Sequence, residues 1–205
     1  MAHMIPDPET YFRGFIPPRD DLLIELEQEA EENSIPIVGP VVGELLYIFS
    51  RAMNARAILE LGTATGYSAI YLARGLKAPD GMLTTIERDE TMAIRAKDNL
   101  ARAGLLDRVE IRVGEVFQLL ETLKGPYDLI FMDIDKENYG EALSRCHSLL
   151  RLGGLLIVDN VAFLGASEFN QTIFNDKQWR CVHLYSFLPN HSPEKDGLTL
   201  AVRVE

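Results

Sequence analysis

Three side chains with oxygen donors follow two short apolar runs. Asp133 comes directly after YDLIFM (127–132), and Asp159 and Asn160 come directly after LLIV (155–158). A polar residue closing such a run sits at the C-terminal end of a strand, the edge where open α/β sheets bind their ligands. If the two runs are neighbouring strands, both carboxylates and the amide oxygen open into one crevice. That donor set suits a hard divalent cation, Mg2+ first, with Mn2+ or Ca2+ also compatible. The pattern offers no His or Cys as a further ligand, which argues against zinc. Taken singly, Asp133 and Asp159 could equally be helix caps or loop acids.

A second constellation lies upstream. The strand-like run 57–61 passes into Gly62-Thr63-Ala64-Thr65-Gly66 and then into a helical pattern. Glycines at such a turn let the backbone approach a ligand and free the following helix N-terminus to face it. The spacing is GxxxG rather than the GxGxxG of dinucleotide-binding turns. The next strand-like run ends in Glu87, where an acid can accept hydrogen bonds from both hydroxyls of a ribose. Gly114-Glu115-Val116 follows the third run, and Glu115 and Val116 are candidate adenine contacts. Without that context the turn could be a tight connection only, and Glu87 a surface acid.

The elements that must position these residues alternate regularly. Strands are expected at 57–61, 82–87, 109–113, 127–132 and 155–158, with helices at 67–76, 90–103, 116–123 and 138–150 between them. The last of these helices is stopped by Gly153-Gly154. Repeated β-α units imply a parallel sheet with helices on both faces. A helix at 168–175 and two strands at 179–187 and 198–204 follow, the strands close enough in sequence to pair antiparallel. Ahead of the sheet, a helix at 20–32 is capped by Asp20 or Asp21, and a second runs over 41–53 after Pro36 and Gly39-Pro40 break the chain. The chain thus reads as one domain, 1–205, with a helical segment at 1–55 and an α/β core at 56–205. The acid run Glu25, Glu27, Glu29, Glu31 and Glu32 reads as a solvated helix face.

The 205 residues suffice for one domain with a sizeable core, and a net charge of -11 argues against a nucleic-acid partner. Cys146 and Cys181 read as buried thiols rather than a disulfide. No run is long and apolar enough to span a bilayer, and no secretory signal pattern is visible, so a cytoplasmic location is expected. His147 and His183 fall inside a helix and a strand and read as structural. His191 reads as a solvated residue of the polar loop 188–197, with substrate contact as the other option.

The segments ILELGTATGYS, TTIERD, YDLIFMDIDKENY and GGLLIVDN together resemble class I S-adenosylmethionine-dependent methyltransferases. More narrowly, they resemble the metal-dependent O-methyltransferases that act on catechols and caffeoyl-CoA. The resemblance runs over about residues 35–204. It implies a doubly wound, mostly parallel seven-stranded sheet of order 3-2-1-4-5-7-6, a Rossmann-like fold. It implies S-adenosylmethionine as methyl donor and Asp133, Asp159 and Asn160 as ligands of a divalent cation. Cofactor contacts would come from Val38, Gly62, Thr63, Gly66, Ser68, Glu87, Gly114, Glu115, Val116, Asp133 and Asp135. Lys136 and Asp133 would be catalytic, the lysine taking or steering the acceptor proton. Read from its neighbours alone, Lys136 could be a surface residue paired with Asp135 or Glu137, and Asp135 could serve to orient it.

A phenolic hydroxyl has a pKa near 10 and is a poor nucleophile at neutral pH, so a cation that favours its oxyanion has a clear purpose. The expected acceptor is a small molecule with vicinal oxygens, and the expected form a homodimer. Departures from the family lie around the acceptor. The segment after Asn160 is short, the loop from Leu188 is long, and Val42-Gly43 replaces a Glu-Gly pair. Phe163 stands at a pocket-lining position and could equally pack a loop. A hydroxyuridine in tRNA is the competing acceptor. An NAD-linked oxidoreductase is disfavoured by the GxxxG spacing, and a non-catalytic binding protein by the intact Asp133, Lys136, Asp159 and Asn160.

Overall fold

The computed structural model describes residues 3–77 and 79–205. Its frame is one seven-stranded sheet: β1 (Ala57–Leu61), β2 (Met82–Glu87), β3 (Val109–Val113), β4 (Tyr127–Met132), β5 (Leu150–Val158), β6 (Trp179–Phe187) and β7 (Lys195–Arg203). The spatial order is β3-β2-β1-β4-β5-β7-β6. Strands β1 to β5 run parallel, and β7 pairs antiparallel with both β5 and β6. The sheet order and the antiparallel tail agree with the sequence expectation.

Consecutive residues of the central strands point to opposite faces, so both faces must be apolar and both must be covered. Ile58, Leu129, Phe131, Leu155 and Ile157 pack on one side with Leu23 and Leu26 of α2 (Asp21–Asn33), Val42 and Leu46 of α3 (Gly39–Ala52) and Ile70 and Leu72 of α4 (Tyr67–Gly75). Leu59, Leu61, Ile130, Met132, Leu156 and Val158 pack on the other. Their partners there are Leu143 and Cys146 of α7 (Tyr139–Leu149) and Phe169 and Ile173 of α8 (Ser167–Asn175). The remaining helices are α1 (Pro8–Arg13), α5 (Glu90–Arg102) and the short α6 (Val116–Leu120). Among the described residues no helix is long and apolar enough to cross a membrane.

Several boundaries differ from expectation for identifiable reasons. Gly39-Pro40 opens α3 rather than breaking the chain before it, because proline fits the first helical turn, where its missing N–H costs no bond. Strand β5 begins at Leu150, not Leu155; Leu150 pairs with Tyr127, and an irregularity between Tyr127 and Leu129 absorbs the two glycines. Strand β7 begins at Lys195, paired with Phe187, so the polar loop shrinks to residues 188–194 and Asp196 and Gly197 become strand residues. Helix α6 ends three residues early. The acid run on α2 is not simply solvated: Glu25, Glu27 and Glu29 pair with Arg102, Arg19 and Arg95. Cys146 is buried and Cys181 half-buried, both as free thiols; burial pushes the Cys146 thiol up to about 12.

Candidate active site

The C-terminal ends of β1 to β5 converge on a cavity of about 360 Å³. Its wall contains Val38, Gly62, Thr63, Ser68, Glu87, Gly114, Glu115, Val116, Asp133, Asp135, Lys136 and Asn160. Of the cofactor, cation and catalytic residues expected from the sequence, Gly66 and Asp159 are not in the wall. Gly66 is the N-cap of α4, in the left-handed region with φ 84°. Asp159 is 1% exposed. Sequence reasoning missed Ile86 and Phe117, apolar neighbours of Val116, and Arg88, which pairs with Asp135 at 2.7 Å.

The glycine turn is shaped by β4 as much as by its own sequence. Gly62 has φ 98°, and a Cβ there would lie 2.1 Å from the backbone oxygen of Asp133. Only glycine lets the two strand ends come so close. Glu87 fastens the loop, its Oε2 accepting hydrogen bonds from the backbone N–H groups of Thr63 (3.2 Å) and Ala64 (2.8 Å). Beneath the loop, the Thr85 hydroxyl donates to Glu60 at 2.6 Å. Burial pushes the Glu60 carboxyl up to about 8, against the Ser68 and Thr85 hydroxyls, which pull it down. Its Oε1 has no hydrogen-bond partner among the described residues.

Asp133 and Asp159 are side by side because the ladder carries one residue past the strands. Met132 pairs with Val158, Asp133 N–H donates to Leu61 O at 2.9 Å, and Asp159 N–H donates to Met132 O at 3.1 Å. Burial and the neighbouring Asp159 charge raise the Asp133 pKa, and Lys136 and His191 pull against them. The Lys136 ammonium donates to Asp133 Oδ1 at 2.8 Å, not to Asp135 or Glu137. Asn160 is held in the left-handed region at φ 54°, and its Nδ2 donates to Asp196 Oδ2 at 2.6 Å. That bond commits the nitrogen end of the amide and leaves Oδ1 as the donor atom for a ligand. Asp196, fully buried, was not singled out from the sequence; an acid before a glycine in a strand looks like an ordinary turn.

The residues fit a hard cation. Two mutually repelling carboxylates and an oriented amide oxygen form an oxygen-only set, and a cation between them would relieve the repulsion. Among the described residues no three His, Cys, Asp or Glu side chains cluster as a metal cage.

His191 corrects the sequence expectation. It is not a solvated loop residue: it is 5% exposed, and its Nε2 meets the Asp159 carboxylate at 2.9 and 3.1 Å. Burial lowers its pKa, but Asp159 outweighs that and holds it above the ordinary histidine value. His147 and His183 are structural, bonding the backbone oxygen of Glu205 and the hydroxyl of Thr199. Phe163 is largely exposed and outside the cavity wall.

The sequence profile of the O-methyltransferase family matches residues 19–187. This chain belongs to that family. A catechol O-methyltransferase of Niastella koreensis is 38% identical, over 75% of this chain and 72% of its own. A caffeoyl-CoA O-methyltransferase of Stellaria longipes is 29% identical, over 92% and 86%. The O-methyltransferase of Bacillus cereus, solved in complex with SAH, superposes with a TM-score of 0.85 at 31% identity, covering 96% of each chain.

Proposed function

We propose that the chain transfers a methyl group from S-adenosylmethionine to a hydroxyl of a small, catechol-like acceptor with vicinal oxygens, assisted by a divalent cation, Mg2+ first. One observation carries the reading: Asp133, Lys136 and Asn160 line the same cavity as the glycine turn, Glu87 and Glu115. Cofactor recognition and hydroxyl chemistry thus share one crevice.

In this reading the Glu87 carboxylate turns from the loop N–H groups to the ribose hydroxyls, and Glu115 and Val116 flank the adenine. The N-terminal turn of α4, with Ser68, faces the cofactor carboxylate, where the helix dipole favours negative charge. Asp135 holds the amino group, and Val38 closes the cavity from the start of α3. A cation held by Asp133, Asp159 and Asn160 supplies stabilisation of the acceptor oxyanion. Lys136, tethered to Asp133, takes or steers the hydroxyl proton. The walls orient the acceptor oxygen in line with the methyl and keep water out. The working form is a cytoplasmic homodimer.

Asp159→Ala tests the assignment. The variant loses cation-dependent turnover and still binds S-adenosylhomocysteine in calorimetry. Full turnover in the variant would make the cation assignment wrong.

A further inference from the structure

Asp159 is gripped by a residue from a distant loop. Its carboxylate meets Nε2 of His191 at 2.9 Å through Oδ2 and 3.1 Å through Oδ1. Both side chains are 1% exposed, so this is no incidental surface pair. The other ring nitrogen, Nδ1, lies 2.6 Å from the carbonyl oxygen of Pro193. A carbonyl only accepts, so Nδ1 donates. That bond fixes the ring and aims Nε2 at the carboxylate.

The grip comes from outside the cofactor cavity. His191 lines a second cavity with Pro36, Ile37, Asn190 and Ser192 and is not in the wall of the first. It therefore holds Asp159 without occupying the space beside Asn160. The loop that carries it is itself tied down. Leu188 N–H donates to Glu194 O, His191 N–H to Leu188 O, and Asn190 N–H to the Glu194 carboxylate, which also pairs with Arg13. Against it packs Gly39, at φ 67°, where a Cβ would lie 2.5 Å from the Asn190 backbone oxygen. The start of α3 is kept bare where the loop rests.

We propose that His191 is a positioning residue for the cation site: it fixes the Asp159 carboxylate in the orientation from which, with Asp133 and Asn160, it binds a divalent cation. The inference rests on the cation reading above. Partners that orient a metal-binding carboxylate typically cost about 10–100-fold in metal affinity when removed. His191 is not in the wall of the cofactor cavity, so its effect falls on cation affinity first and on turnover through it.

The test uses the full chain and Mn2+ as probe, with bound and free Mn2+ separated by electron paramagnetic resonance. S-adenosylhomocysteine affinity, by calorimetry, reports the folded cofactor site independently. His191→Ala is expected to weaken Mn2+ binding roughly 10–100-fold with S-adenosylhomocysteine affinity unchanged. His191→Gln, whose amide N–H can still donate to the carboxylate, is expected to recover part of the loss. Unchanged Mn2+ affinity in both variants would overturn the role, leaving His191 a packing residue. Parallel loss of Mn2+ and S-adenosylhomocysteine binding would overturn it too, because the damage would then be general. A wild-type chain that binds S-adenosylhomocysteine but no Mn2+ would overturn the cation reading itself, and this role with it.

Discussion

Burial of Glu60 behind the glycine turn ties the stability of the site to pH. Its carboxyl is raised from 4.5 to about 8 in the fold. Between those values the folded chain binds more protons than the unfolded one, so this contribution is fully present below about pH 4.5, falls as pH rises, and is gone above about pH 8. Glu60→Gln cannot titrate. In EDTA, the variant should gain on the wild type as pH rises through that window, by roughly 3 kcal/mol at pH 7. Urea unfolding of both chains across pH 5–9 checks this; a difference that stays flat with pH would contradict it. At this scale the sequence was legible where a residue type and its place on a strand end coincide, as at Glu87, Asp133 and Asn160. It was illegible at Asp196 and His191. Both act through contacts made across 36 and 32 residues of chain, with Asn160 and Asp159 respectively, and nothing local marks them.

The elements position the site through close approaches that side chains would block. The tightest is between β1 and β4 at Gly62, where a Cβ would collide with the Asp133 backbone. Gly62→Ala combines that overlap with a left-handed φ and should cost roughly 2–5 kcal/mol. Thermal unfolding would show the loss, with weakened S-adenosylhomocysteine binding beside it; a variant as stable as wild type would contradict this account of the turn. Element types and order were readable because apolar runs and amphipathic helices alternate so regularly between 57 and 158. Boundaries were not readable where glycine and proline have two uses. Gly153-Gly154 looks like a helix stop yet lies within β5, and Gly39-Pro40 looks like a break yet starts α3. The tail loop was overestimated because Lys195-Asp196-Gly197 is polar and turn-like but is claimed by pairing with Tyr185, Ser186 and Phe187.

The molecule as a whole sets which acceptors can approach. With a net charge of -11, it repels a phosphate backbone at long range. Labelled tRNA is therefore expected to show no salt-sensitive shift with the chain at physiological ionic strength; a tight shift that weakens steeply with salt would point to an RNA acceptor. Within the acidic body, the five parallel strands deliver cofactor-type and hydroxyl-type groups to one edge, and the family match makes methyl transfer to oxygen the chemistry they serve. Around that edge lie the segment after Asn160 and the 188–194 loop, which brings His191 to Asp159. Cation-assisted O-methylation is tested by S-adenosylhomocysteine release over a panel of catechols, first with Mg2+ and then with EDTA. Turnover abolished by EDTA and restored by added Mg2+ is the expected result. Turnover that persists undiminished in EDTA would contradict it.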